Sequence, residues 1–316
     1  MTTSSKVSPK LQGYLSQVNE AGKKAKEQGI EATPETARAA LASLNQFNEP
    51  QPKISEVKDA KYRYKNDGED ISVPLRIYNP NPDEKLDTII FVHGGGHMCG
   101  DLDVYDNQVR KLAEATGMII ISVFYRRSPE NKYPAGVEDT YAVFKGIDEI
   151  VADYKTTGNF YAVGDSGGGA TIASVGQRAI EDDFTKISKQ ALIYPSLDYT
   201  LSQPSVETYA EGYFLDKGRT QWYFDNYFPE GVDRKQASPV FGPYSATMPE
   251  TLVISAGCDI LQDEGKEYVA QINEAGGRAK YILMPGMIHA YLFFETMVSE
   301  ECAQTYEYIA DFLIGN

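Results

Sequence analysis

Residues 159–180 read NFYAVGDSGGGATIASVGQRAI. An apolar run, NFYAV, meets Gly164-Asp165-Ser166-Gly167-Gly168, and a helix-forming run follows at once. A strand that turns sharply into a helix lifts a serine hydroxyl clear of the backbone. Glycine is needed there because the turn is strained and the neighbouring elements pack closely. The free N–H groups of the helix start also favour a developing negative charge. The stretch therefore reads as strand, elbow and helix, with Ser166 as a candidate nucleophile.

The flanking sequence repeats the same alternation. Short apolar runs at 86–93 (LDTIIFVH), 117–125 (GMIIISVFY), 159–164, 189–194 (KQALIY), 251–256 (TLVISA) and 279–284 (AKYILM) are separated by longer helical or irregular segments. Continuous apolar strands between helices predict a parallel sheet covered on both faces. Residues 56–65 and 71–79 add an antiparallel pair around Asn66-Asp67-Gly68, which makes eight strands. Residues 8–48 read as helical. Thr33-Pro34-Glu35 supplies an N-cap hydroxyl, a proline at the first helical position and an acid facing the helix dipole. One segment breaks the alternation. Residues 196–249 form a long insert rich in aromatics between 208 and 229, and the spacings 223/227 and 224/228 predict a helix with an apolar face. As a group these aromatics are expected to form a lid.

Composition narrows the function classes. The 316 residues carry a formal charge of −15 and are 42% hydrophobic, an ordinary globular composition in a chain long enough for one large domain or two small ones. So acidic a surface, with no basic patch, argues against nucleic-acid binding. The opening residues MTTSSKVSPK lack the apolar core of a signal peptide, and no run is long enough for a membrane span. Cys99, Cys258 and Cys302 are widely spaced and form neither a disulfide framework nor a zinc pattern. A cytoplasmic location is the expectation.

A neutral serine needs a base, usually a histidine, which is itself oriented by an acid. After an elbow serine the chain order should be acid, then histidine. Of three histidines, only His289 follows Ser166, in the loop after the last strand. Asp259 lies just past the preceding strand; Asp263 and Glu264 compete with it from one turn later, where a helix is expected. The third strand ends in His93-Gly94-Gly95-Gly96-His97. Consecutive glycines there let N–H donors approach the oxyanion of a tetrahedral intermediate.

With HGGG upstream of a GDSGGG elbow, and FYRRSPENKYPAGVEDTY at 124–141, residues 86–290 resemble the hormone-sensitive-lipase-like esterases. The resemblance implies an α/β-hydrolase fold as a single domain. Its cap would come from about 1–50 and 196–249, and its core from about 51–195 and 250–316. It implies Ser166, Asp259 and His289 as catalytic residues, with Gly95, Gly96 and Gly167 as oxyanion donors. His97, Met98, Tyr213, Phe214 and Ile260 are expected to line the substrate pocket. Neither a metal nor an organic cofactor is implied. The partner would be a small ester of short to medium acyl chain, and a homodimer would pair through the edge strand at 279–284. Two positions depart from the family pattern: Gly167 replaces the usual alanine, and His97 replaces an aromatic such as Trp or Phe. His93, Asp165, Glu130 and Asp139 are read as structural. An amidase or peptidase could use the same triad. Plant gibberellin receptors resemble the family but have lost the histidine, and the presence of His289 argues against that reading here.

Overall fold

The computed structural model describes residues 6–184 and 186–315. The first five residues, part of the stretch read as lacking a signal-peptide core, lie outside them. Eight strands form one sheet: β1 (Glu56–Asn66), β2 (Glu69–Asn79), β3 (Leu86–Val92), β4 (Ile119–Val123), β5 (Thr156–Asp165), β6 (Ile187–Ile193), β7 (Glu250–Cys258) and β8 (Ala279–Ile288). Their spatial order is β1-β2-β4-β3-β5-β6-β7-β8. β1 pairs antiparallel with β2, and β2 with β4; from β4 onward every pairing is parallel. All five residues of β4 are buried, whereas the edge strand β1 is half-exposed along its length. This is the difference between a strand covered on both faces and one that meets water.

The helices are α1 (Pro9–Glu27), α2 (Pro34–Ser43), α3 (Asp106–Thr116), α4 (Ala135–Lys145), α5 (Ile147–Ile150), α6 (Ser166–Glu181), α7 (Pro204–Thr208), α8 (Lys217–Tyr227), α9 (Arg234–Ala237), α10 (Gln262–Glu274) and α11 (Glu295–Ile314). Side chains of α3 and α11, such as Leu112 and Ile309, join the apolar cluster on one face of the sheet. Those of α4, α6 and α10, such as Val137, Ile172 and Val269, join the cluster on the other. No described helix is long and apolar enough to cross a membrane.

The helical reading of 8–48 resolves into two helices, because the chain leaves α1 at Gln28 and starts again at the predicted cap. Thr33 Oγ1 accepts from Thr36 N at 3.2 Å, and Thr36 Oγ1 accepts from Thr33 N at 2.9 Å. The two orphan donors of the helix start are thus satisfied reciprocally. Arg38 of α2 then fastens this arm to the loops at the ends of the strands. Its Nε donates to Met98 O at 3.0 Å, and its Nη2 donates to Ser128 O at 2.9 Å.

The aromatic insert also divides. Only 217–227 is a long helix; its buried face is Thr220, Phe224 and Tyr227, as the helical period dictates. Phe224, Tyr227 and Phe228 pack with Ala170 and Tyr199, while Tyr213 and Phe214 pack on the cluster beneath α1 and α11.

The tightest packing lies between α6 and β3. A Cβ at Gly168 would overlap Val92 O and stand 2.6 Å from His93 O. Gly13, on the exposed side of α1, has nothing within 4 Å of such a Cβ. Thermal unfolding should separate the two. Gly168→Ala is expected to lose about 3 kcal/mol by overpacking, and Gly13→Ala to gain up to about 1 kcal/mol from helix propensity. Equal melting temperatures would contradict this picture of the elbow.

Candidate active site

The strand-to-helix turn places Ser166 at φ 49°, a left-handed conformation for a residue with a side chain. Such strain persists only where the surroundings over-determine it. Ser166 Oγ lies 2.9 Å from His289 Nε2. On the far side of the ring, Nδ1 lies 2.7 Å from Asp259 Oδ2. The carboxylate holds the ring proton on Nδ1, which leaves Nε2 to accept from the hydroxyl. Asp259 Oδ1 accepts from Leu261 N at 3.0 Å, so its own orientation is set. All three side chains are buried. β7 delivers Asp259, β8 delivers His289, and β5 delivers Ser166. Neighbouring parallel strands end on one side, and three loops far apart in sequence meet there.

The competing acids are engaged elsewhere. Asp263 Oδ2 accepts from Ser205 N at 2.9 Å, and Glu264 Oε1 accepts from Leu197 N at 2.6 Å. Burial, with Asp198 nearby, pushes the Glu264 carboxyl well above its ordinary range.

The glycine loop lies beside the serine. Gly95 and Gly96 have φ of 95° and 61°. Gly95 O accepts from Met98 N at 3.1 Å and Cys99 N at 2.8 Å, which closes a tight turn. A Cβ at Gly95 would stand 2.5 Å from Cys99 O, and one at Gly96 would stand 2.7 Å from the Tyr223 ring. Among the described residues, the N–H groups of Gly95 and Gly96 donate to no backbone acceptor. Gly167 N belongs to the first turn of α6, where helix geometry supplies no partner. A Cβ on Gly167 would lie 3.4 Å from Gly96 N, so the helix start and the glycine loop are close neighbours. The arrangement can move a proton from a hydroxyl to a ring nitrogen while N–H groups face an adjacent oxygen.

Buried side chains support this loop. His93 Nδ1 lies 2.9 Å from Gly94 O, and its ring stacks on Tyr125 with centroids 4.5 Å apart. Burial holds the His93 pKa down to about 4, so the ring is neutral and donates from Nδ1. Tyr125 Oη donates to His93 O at 3.0 Å. Asp139 receives Arg126 N at 2.7 Å and Tyr64 Oη at 2.7 Å, and Glu130 is paired with Arg38 at 2.6 Å. These fasten the 124–141 segment behind the glycine loop.

The residues expected in a pocket fall in two groups. His97 is buried against the elbow, and Met98 packs with Ala37 and Cys99. Ile260 is buried in the main apolar cluster, and Tyr213 and Phe214 sit partly buried at its margin. Two contacts were not legible in the sequence. Tyr223 covers Gly96, and Tyr194 packs its ring 4.9 Å from that of His289. Both come from segments distant in the chain, and no local pattern marks them.

Asp165 joins the elbow to the glycine loop. Its Oδ1 accepts from Gly94 N at 2.7 Å, and its Oδ2 accepts from Tyr105 Oη at 3.1 Å. Burial pushes its pKa from 3.8 up to about 6, against those two hydrogen bonds. Between about pH 4 and pH 6 the unfolded chain has released this proton and the folded chain keeps it. Stability from this group is therefore lost as pH rises through that window, by about 3 kcal/mol at most. Asn can retain both contacts, accepting from Gly94 N and donating to Tyr105. In urea unfolding, the stability of wild type minus that of Asp165→Asn should fall between pH 4 and 6 and then level off. A difference independent of pH would contradict the burial effect.

Comparison with known proteins gives a consistent answer. A family model described as alpha/beta hydrolase fold matches residues 89–293. The ethyl acetate hydrolase of Pseudomonas putida is 29% identical, covering 72% of this chain and 74% of that one. A gibberellin receptor of Arabidopsis thaliana is 31% identical, covering 72% and 71%. Among solved structures, an esterase of Pyrobaculum calidifontis superposes with a TM-score of 0.85 at 29% identity, covering 97% and 98%. The matched region runs from within β3 past the histidine loop and takes in the whole parallel sheet between them. By its sheet, its elbow and these likenesses, the chain belongs to the α/β-hydrolase fold family, among the hormone-sensitive-lipase-like esterases.

Proposed function

We propose that Ser166, His289 and Asp259 carry out ester hydrolysis in two acyl-transfer steps on esters of short to medium acyl chain. That the chain is a carboxylic ester hydrolase follows from its family and its esterase relatives. The assignment of residues rests on one observation, the continuous chain from Ser166 Oγ through His289 to Asp259 at 2.9 and 2.7 Å.

In the first step the Ser166 oxygen bonds to the ester carbonyl carbon as its proton passes to His289 Nε2. The carbonyl oxygen becomes an oxyanion and meets the N–H groups of Gly95, Gly96 and Gly167. Donors already in place cost no reorganisation as the charge develops. Asp259 stabilises the imidazolium. The carbon–oxygen bond to the alcohol breaks, and His289 returns the proton to that oxygen. In the second step water gives its proton to His289 and attacks the acyl-serine. Collapse of that intermediate frees the acid and restores Ser166.

The insert at 196–249 and the described part of the N-terminal arm, residues 6–50, act as a cap over this site. Tyr223 against Gly96 and Arg38 on Met98 O support that reading. Such a wall bounds the acyl side and favours short chains, in keeping with the small ester that names the Pseudomonas relative. The receptor likeness does not displace the enzyme reading, since the histidine is present and bonded to the serine. Cys99 and Cys302 are buried thiols outside any disulfide, which favours a reducing compartment, the cytoplasm. β8 is one of the two edges of the sheet and would serve a homodimer.

Hydrolysis of p-nitrophenyl butyrate by the protein and by Ser166→Ala tests the assignment. The variant should stay folded and lose on the order of 10⁴-fold or more in kcat. Full activity in the variant would remove Ser166 from the mechanism. Rates should decline from butyrate to palmitate, and a steady rise would contradict the bounded acyl site. Matched esters and anilides should differ in favour of the ester. Light scattering should give a dimer at micromolar concentration, and a clean monomer would exclude pairing through β8.

A further inference from the structure

The two residues that depart from the family pattern lie against each other. A Cβ on Gly167 would stand 3.3 Å from His97 Cε1 and 3.1 Å from His97 N. His97 is only 2% exposed. It stacks on Tyr227 of α8 with centroids 3.9 Å apart and planes at 9°. Its Nε2 lies 3.1 Å from Tyr199 Oη. Burial holds its pKa down to about 3, so both stacked rings are uncharged at working pH.

The main chain of His97 is left-handed, at φ 60°. That conformation costs a residue with a side chain, and it is held by specific contacts. The His97 carbonyl accepts from Ser128 N at 2.9 Å and from Ser128 Oγ at 3.2 Å. One turn earlier on α8, Tyr223 covers Gly96. Positions 223 and 227 share one helix face. A single helix of the insert therefore grips two consecutive residues of the glycine loop.

We propose that His97 is a positioning residue for the oxyanion donors of Gly96 and Gly167, keyed to the insert by Tyr227 of α8 and by Tyr199, with Gly167 lacking a Cβ because His97 occupies the adjacent space. The inference rests on the acyl-transfer reading above. His97 touches no reacting atom, and its hydrogen bond goes to Tyr199. It acts by fixing where Gly96 N and Gly167 N stand before the oxyanion forms. Donors that strengthen only in the transition state govern kcat, and a pocket wall would govern KM. The insert then does more than bound the substrate: its packing sets the geometry of the hole.

The test measures kcat and KM for p-nitrophenyl butyrate, inhibition by butylboronic acid as a tetrahedral analogue, and thermal unfolding. His97→Ala should lower kcat on the order of 10²-fold, weaken the boronate comparably and leave KM within about threefold. Tyr199→Phe keeps the ring and removes its hydroxyl; kcat should fall about threefold to tenfold at unchanged KM. Gly167→Ala should lower kcat about tenfold, and the double variant with His97→Ala should fall well short of the product of the two losses. Losses that multiply, or losses in KM alone, would overturn the proposal. Should His97→Ala fail to fold, undiminished kcat in Tyr199→Phe would overturn it as well. Failure of the underlying reading looks different: wild type would be inactive, or Ser166→Ala would keep its activity.

Discussion

Val92 O and His93 O occupy the ground where a side chain at position 168 would have to stand. This contact lets α6 start directly against the end of β3. The start of the helix, with Ser166 and Gly167 N, is thereby brought beside the loop that follows β3. Asp165 closes the same junction from the other side by accepting from Gly94 N. A bulkier helix start would force the serine and the glycine loop apart. The run of glycines at 167–169 is thus first a packing requirement, and its chemical use follows from the approach it permits.

The second requirement is that buried polar groups cross-link this junction, although His93 Nε2 itself has no hydrogen-bond partner among the described residues. His93 meets Gly94 O, His97 meets Tyr199, and Asp165 meets Gly94 N and Tyr105. Burial lowers the pKa of both histidines and raises that of the aspartate. Every one of these shifts favours the neutral form, as a low-dielectric surrounding demands. Both histidines are therefore neutral, Asp165 carries a full charge only above about pH 6, and preorganised dipoles supply much of the field. That suits a reaction in which charge appears on a substrate oxygen only transiently.

Much of this was legible in the chain. The apolar runs located six of the eight strands within a few residues, because strands buried on both faces need continuous hydrophobic residues, and the Asn66-Asp67-Gly68 turn located the antiparallel pair β1 and β2. The elbow was legible because backbone strain and close packing both act on neighbouring residues. Asp259 and His289 could be located from chain order, since each follows immediately after a strand. The choice of Asp259 over Asp263 and Glu264 was less secure in sequence. In the structure Asp259 hydrogen-bonds His289, while Asp263 and Glu264 hydrogen-bond Ser205 and Leu197. The insert was legible only as a group of aromatics. Helical period put Phe224 and Tyr227 on the buried face, but nothing local said that Tyr223 would cover Gly96 or that Tyr227 would stack on His97.

By itself, the sequence determined what depends on neighbours along the chain: the strands and helices, the elbow, the glycine loop, and the order of serine, acid and histidine. Only the tertiary structure decided which side chains meet across the sheet and the insert. It aligned Ser166 with His289, turned the competing acids to other partners, and set His97 into the space beside Gly167. The physical reason is range. Periodicity and backbone strain act over a few residues, whereas a hydrogen bond or a ring stack depends on positions to within a fraction of an ångström. Positions that exact come only from packing elements far apart in the chain.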